Sequence, residues 1–294
     1  MADRSHNKTD KKLEEMERHL SAIYSRAQKE IDETADAYFK RFAVQDAKKR
    51  KLLAAGKLDE KAYKRWRIAK MATGKHYTAM KEDIADKLFH VNQIATAYVN
   101  GELPEVYSLN YNSLADAVNG VGGYSFTLVD AETVRNLAVS DETLLPYKYV
   151  DGQRDVRWNT KKVNAEVMQG VLQGDSMQKI AKRMQNVTDM NRTSAIRNAR
   201  TTVTSAENKG RQDSYERAEK DGIMLKREWV STNDGRTRHA HILLNGQIAE
   251  VEKPFHSELG DIMYPGDPYA RPANVYNCRC TMVASVEGFR KAKE

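Results

Sequence analysis

Residues 13–42 read LEEMERHLSAIYSRAQKEIDETADAYFKRF, and their apolar positions set the fold class. Leu13, Met16, Leu20, Ile23, Ala27, Ile31, Ala35, Tyr38 and Phe42 recur at steps of three or four. That spacing puts them on one face of a helix about eight turns long. No Gly or Pro interrupts the chain before Gly56, so a long N-terminal helix is predicted. Its apolar face serves either as a bundle core, the commoner use, or as a docking face for another chain.

Beyond that stripe, Asp59 caps a short helix that runs to Met71 and ends near Gly74. A third helix spans about 76–99, with Met80, Ile84, Leu88, Val91 and Ile94 on one face. From Gly101 to Tyr124 the sequence reads as irregular, with Pro104 and the run Asn119-Gly120-Val121-Gly122-Gly123. That run matches neither G-x-G-x-x-G nor a Walker A loop and reads as a flexible turn. Helices resume at 133–140, at 160–173 before Gly174, at 177–184 behind Asp175 and Ser176, and at 191–220 before Gly222. Strand-like runs follow at 224–230, 246–251 and 280–285, with dense turn residues between them. The predicted fold is α+β and predominantly helical: a long N-terminal helical arm, a helical region, and a small C-terminal α+β domain. The expected division is 1–125 for the helical arm or bundle and 126–294 for the rest, with helices to about 222 and a mixed α/β tail over 223–294.

The chain has 294 residues and is 40% apolar, enough for one large or two ordinary domains. No run approaches a membrane span, and the N-terminus lacks the apolar stretch of a secretory signal. Two cysteines, Cys278 and Cys280, exclude a disulfide framework and fit a reducing cytosol. Net charge is +7, and residues 40–75 hold 13 basic side chains against 3 acidic ones. Such a patch favours a polyanion, most simply nucleic-acid phosphate. The DNA-contact candidates are Lys48, Lys49, Arg50, Lys51, Lys61, Lys64, Arg65, Arg67 and Lys70. The alternative is a solvated helix face whose partner is an acidic protein surface.

The chemically informative stretch begins at Arg197-x-x-Arg200-Thr201 and passes through Trp229 and Asp234-Gly235-Arg236-Thr237-Arg238-His239-Ala240-His241. It continues through Asn245-Gly246, Phe255 and Tyr264-Pro265-Gly266-Asp267-Pro268 to Asn277-Cys278-Arg279-Cys280. His239, His241, Cys278 and Cys280 are ligand types that zinc prefers. On strands, alternate residues share a face, so His-x-His and Cys-x-Cys can each present a ligand pair. The spacing matches no standard finger, which favours the other reading, buried cysteines and histidine packed in a small core. A Cys nucleophile with His241 as base is a further option, as is a metal-dependent nuclease built on His241, Asp234 and Asp267. Arg192, Arg197, Arg200, Arg211, Arg236 and Arg238 read as an internal network with Asp234 and Asp267 as partners. Asn277 reads as a turn residue.

Taken in that order, these motifs resemble the phage Mu F-like, or head morphogenesis, family of minor capsid proteins of tailed bacteriophages. The resemblance covers about 158–285. It carries Arg197, Arg200, Thr201, Trp229, Asp234, Arg236, Thr237, Arg238, His241, Gly246, Phe255, Asn277, Cys278, Arg279 and Cys280 as family-motif residues with a structural role. It implies a minor head protein acting in procapsid assembly at the portal vertex, and in DNA packaging or ejection. The implied partners are the portal protein, capsid and scaffolding proteins, and packaged double-stranded DNA, with no membrane. The implied location is inside the head near the portal vertex, after assembly in the host cytoplasm. No enzyme activity and no catalytic residue is expected, and no cofactor unless it is zinc. In many relatives the positions matching Arg238 and His241 form a Cys-x-x-Cys pair, so a four-ligand site here needs His239 or His256. Some relatives carry a toxin domain after the Cys-Arg-Cys motif. With 14 residues after Cys280, none is expected here. The rival readings are a metal-dependent DNA-processing enzyme, such as a nuclease, and a plain nucleic-acid-binding module.

Overall fold

The computed structural model describes residues 3–118 and 126–289. The glycine-rich run at 119–123 lies outside them. The helices are α1 (Arg4–Lys40), α2 (Ala43–Ala54), α3 (Glu60–Met71), α4 (Lys75–Tyr111), α5 (Ala115–Val118), α6 (Ala131–Ser140), α7 (Gly152–Leu172), α8 (Met177–Lys182) and α9 (Met184–Lys220). Strands β1 (Ile223–Val230), β2 (Ile248–Glu250) and β3 (Thr281–Phe289) follow, with short helices α10 (His239–Leu244) and α11 (Pro272–Val275) between them. The α+β, predominantly helical class is as the sequence predicts. The chain divides into a helical unit, Arg18–Ala97 with Tyr149–Ala195, and a mixed unit, Met1–Glu17 with Tyr98–Lys148 and Ile196–Glu294.

Along α1 the apolar stripe is buried as expected, with two shifts. Tyr24 and Phe39 are buried, whereas Ile23 and Phe42 are only half-buried. A step of four from Leu20 reaches Tyr24, whose hydroxyl also donates to Asn92 Oδ1 at 2.6 Å. Side chains of α1, α3, α4, α7, α8 and α9 build the helical unit's core, including Ile31, Phe39, Met71, Ile84, Leu88, Val163, Val167, Val171, Ile180 and Met184. On α4 the sequence reading is corrected: Ile94 is exposed and Ala95 is buried in its place.

Helix α2 was not visible as an apolar stripe because its one buried residue is Asp46. That carboxylate accepts from Arg50 Nε at 2.7 Å and Tyr63 OH at 2.6 Å, and Arg67 Nε lies 3.5 Å away. Arg67 is fully buried and donates to the Val171 and Asp175 carbonyls. Arg50 donates to the Gly174 and Asp175 carbonyls at 2.9 and 2.8 Å. Two cations thus satisfy carbonyls just at and beyond the end of α7, where a helix leaves acceptors open and favours positive charge.

Capping residues fix several starts. Asp59, Asp130, Asp151 and Ser176 accept backbone N–H groups of Ala62, Thr133, Arg154 and Lys179. The Asp151 cap starts α7 eight residues before the predicted 160. Helix α4 passes through Gly101 and Pro104, where the sequence suggests a break. Pro104 forfeits one intrahelical bond, but Val99, Leu103, Val106 and Tyr107 continue a buried stripe at helical spacing, and that burial wins.

In the mixed unit, β1 is the central strand of an antiparallel sheet ordered β2-β1-β3. Ile223, Leu225, Arg227 and Trp229 alternate inward. The α9 residues Ala199, Val203, Ala206 and Gly210 are small and form a helical stripe. A Cβ on Gly210 would stand 2.5 Å from the Tyr107 carbonyl oxygen, so only glycine permits that approach. Gly266, at φ +82°, lies against the Ser205 backbone in the same way. Arg211 is buried and ties α9 to three other segments: it donates to Ser5 Oγ at 2.6 Å, Asn110 Oδ1 at 3.0 Å and the Met282 carbonyl at 2.9 Å, and pairs with Asp3 at 2.6 Å. Beside it, Glu207 accepts from Thr281 Oγ1 at 2.8 Å and lies 2.8 Å from His6 Nδ1. Burial depresses His6, but the Glu207 carboxylate outweighs it and lifts the imidazole from 6.5 to about 9.

Arg67→Ala removes the buried guanidinium that donates to the Val171 and Asp175 carbonyls and leaves Asp46 with Arg50 and Tyr63 alone, so it should cost about 3 kcal/mol or more in urea unfolding. Arg65→Ala, on the exposed side of α3, should stay within about 0.5 kcal/mol; equal costs would refute the network. The His6–Glu207 pair stabilises fully below pH 6.5 and is lost as pH rises through about 9. The stability advantage of wild type over His6→Gln should therefore shrink between those values, on the order of 2 kcal/mol. A pH-independent difference would contradict this.

Candidate functional site

The loops around the sheet carry most of the motif residues. On α9, Thr201, Thr204 and Asn208 share one face and grip the 277–280 segment. Thr201 Oγ1 accepts from Asn277 N at 2.9 Å, Thr204 Oγ1 donates to the Cys278 carbonyl at 2.7 Å, and Asn208 Nδ2 donates to the Cys280 carbonyl at 3.3 Å. Asn277 has φ +58°, a left-handed turn residue that asparagine tolerates, as the sequence predicts. The turn sets Cys278 and Cys280, both buried, beside His241.

His241 is also buried and lies edge-on to Trp229, with ring centroids 5.2 Å apart. Its Nδ1 is 3.5 Å from the Sγ of Cys278 and 3.5 Å from the Sγ of Cys280. Its Nε2 is 3.1 Å from Asn274 Oδ1. Asn274 is itself held by Ser257 Oγ at 3.1 Å and donates to the Gly260 carbonyl at 2.8 Å. An Oδ1 acceptor requires Nε2 to carry the ring proton, which leaves the Nδ1 lone pair facing the sulfurs. A hydrogen bond from the Cys278 thiol and the neighbouring His241 hold the Cys280 thiol low, while its partnership with Cys280 and its burial push Cys278 up. The cluster borders a cleft of about 20 Å³ that Thr232, Thr237, Arg238 and Arg279 also line.

Among the described residues, the group able to hold a metal is His241, Cys278 and Cys280. His239 is not part of it: it lies on α10 rather than on a strand, so His-x-His points two ways. Its ring is exposed, 3.7 Å from Glu258. His256 is exposed and pairs with Asp261 at 2.9 Å. The imagined cation site of His241, Asp234 and Asp267 does not assemble. Asp234 is engaged by Arg279 at 2.6 Å, which with the Arg236 N–H holds it low, at about 2. Asp267 accepts from Met263 N and Tyr269 N and closes its own turn, and among the described residues no arginine pairs with it.

The other motif residues knit loops. Arg238 donates to the Ala273 and Tyr276 carbonyls. Thr237 Oγ1 and Arg236 N donate to Asp234. Gly246, at φ +79°, donates to the Trp229 carbonyl. Phe255 is buried against Trp229. Arg200 clasps Glu17 through two bonds, Arg192 pairs with Asp189 at 3.0 Å, and Arg197 is exposed. Two residues of this framework escaped the sequence reading. Arg227 is fully buried above Phe255 and donates to Gln212, Met263 and Glu250, and burial draws it down to about 10. Its place between Leu225 and Trp229 in the strand alternation was the available signal. Asn274 carried no such signal.

Of the basic candidates in the helical unit, Arg67 is removed: it is buried on carbonyls and offers no donor to a ligand. Arg50 is half-buried and bound to Asp46 and the residues after α7. Lys49 lies 5.4 Å over the Trp66 ring, and Lys64 pairs with Glu60 at 2.7 Å. Lys48, Lys51, Lys61, Arg65 and Lys70 are exposed.

Among the described residues no helix is long and apolar enough to cross a membrane. No solved structure matches this chain. It is similar to Minor head protein GP7 of Bacillus phage SPP1, 24% identical over 94% of this chain and 87% of that protein. It is also similar to the NAD(+)--arginine ADP-ribosyltransferase EFV of Enterococcus faecalis, 30% identical over 48% of this chain. The chain spans only 28% of that second relative's length. The family described as Phage Mu protein F like protein matches residues 161–283, the stretch that contains the α9 grip, β1, β2 and the His/Cys/Cys cluster. Over residues 161–283, then, this chain is similar to the Phage Mu protein F like family.

Proposed function

We propose that this chain is a minor head protein of a tailed bacteriophage, acting in procapsid assembly. The observation that carries the reading is similarity to a minor head protein along nearly the whole of both chains, together with the family match. The proposal extends to a place inside the virion head near the portal vertex. There the chain engages the portal protein and capsid or scaffolding proteins and takes part in DNA packaging or ejection. The motif residues act structurally, because their polar groups are spent on neighbouring loops rather than presented to a substrate. The ADP-ribosyltransferase likeness spans too little of that protein for its named activity to pass to this chain. A nuclease reading loses its support with the dispersal of Asp234 and Asp267.

Contact with packaged DNA is the second part of the proposal. It rests on Lys48, Lys51, Lys61, Arg65 and Lys70, five exposed cations on α2 and α3.

Quantitative mass spectrometry of virions and of DNA-free procapsids from the encoding phage or induced prophage should find this chain in both. Absence from both particles would overturn the head-protein reading. Alanine at Lys48, Lys51, Lys61, Arg65 and Lys70 together should weaken duplex binding and reduce its salt slope by about one per phosphate contact removed. An unchanged slope would remove DNA contact from this segment and leave the assembly role standing.

A further inference from the structure

We propose that His241, Cys278 and Cys280 form a zinc site. This inference is independent of the head-protein reading. Tetrahedral zinc with Zn–S of about 2.3 Å and Zn–N of about 2.05 Å sets its sulfur and nitrogen donors about 3.6 Å apart. Both Nδ1–Sγ separations here are 3.5 Å, so the donors already stand at the spacing a shared ion requires. All three donor atoms lie within 4.8 Å of one another, and all three residues are buried.

The ring is set for ligation as well. The Asn274 carbonyl oxygen accepts from Nε2 and is itself fixed by Ser257 and Gly260, so Nδ1 presents a lone pair to the sulfurs. A metal-bound histidine characteristically has such an outer partner on its second nitrogen. Thiolate and imidazole donors select zinc over harder cations. On binding, the cysteines contribute two thiolates and their protons leave to solvent. The dication and two thiolates cancel, so burying the group costs little charge desolvation. With three protein donors the fourth position opens on the adjoining cleft. Its volume of about 20 Å³ holds one water molecule. The α9 side chains that clamp the Cys278 and Cys280 carbonyls hold the pair in place without the ion.

The test uses the full chain, purified under reducing conditions from zinc-supplemented cells and dialysed against a weak chelator. Elemental mass spectrometry should find one zinc per chain in wild type and in His239→Ala, and at least a tenfold loss in Cys278→Ser and in Cys280→Ser. Because a serine variant can fail to fold, cobalt is also exchanged into the wild-type protein. It should give a near-ultraviolet thiolate-to-cobalt charge-transfer band and the strong visible bands of a tetrahedral ion. Folded wild-type protein without stoichiometric zinc would overturn the proposal. So would a cobalt spectrum without the thiolate band, or full zinc retention in folded Cys280→Ser.

Discussion

A buried guanidinium has five N–H donors to satisfy and keeps its charge, so whatever surrounds it must supply acceptors in a fixed fork. Arg67, Arg211 and Arg227 are all fully or almost fully buried, and each dictates the local architecture. Arg67 needs the carbonyls beyond α7 and the Asp46 carboxylate, which is why α2 and α3 pack as they do. Arg211 needs Asp3, Ser5, Asn110 and Met282, and so gathers the ends of α1 and α4 with β3 around α9. Arg227 needs the carbonyls of Glu250 and Met263, and so orders the loops on either side of Phe255. Hydrogen bonds from charged donors are worth about 1.5–3 kcal/mol each.

Most helices were legible because their signals are local: the α1 stripe and the Asp59 and Ser176 caps lie within a few residues of what they specify. The failures share a physical cause. Pro104 and Gly101 argue for a break on local grounds, and only the burial of Leu103 and Val106 overrides them. Helix α2 is held by Asp46, a charge whose partners lie on α3 and beyond, so no periodicity in its own sequence announces it. The site shows the same division. Cys-x-Cys and the asparagine turn before it were readable in the chain. That His241 rather than His239 joins them depends on α10 being a helix, and that Asn274 fixes the ring depends on a fold contact 33 residues away.

The Mu F-like motif thereby acquires a physical meaning. Its threonines and arginines bind backbone and carboxylate groups of neighbouring segments, and Trp229 packs edge-on against His241. A pattern of that kind specifies loops tied to one another by hydrogen bonds. The basic patch, read in sequence as one feature, is two in the structure: Arg50 and Arg67 face inward to carbonyls, and five exposed cations remain on α2 and α3.

The mixed unit is assembled from Met1–Glu17, Tyr98–Lys148 and Ile196–Glu294, whereas the helical unit ends at Ala195. During translation the helical unit has all of its residues once Ala195, part-way along α9, has been added. Asp3, Ser5 and His6 emerge first and must wait some two hundred residues for Glu207 and Arg211, which lie 201 and 206 positions from His6 and Ser5. The wait is longer still for β3, whose Met282 carbonyl completes the cage. Closing so long a loop is slow, so the first turns of α1 stay without their polar partners until α9 and β3 have been made. The mixed unit is a late-assembling structure, closed only when β3 pairs with β1.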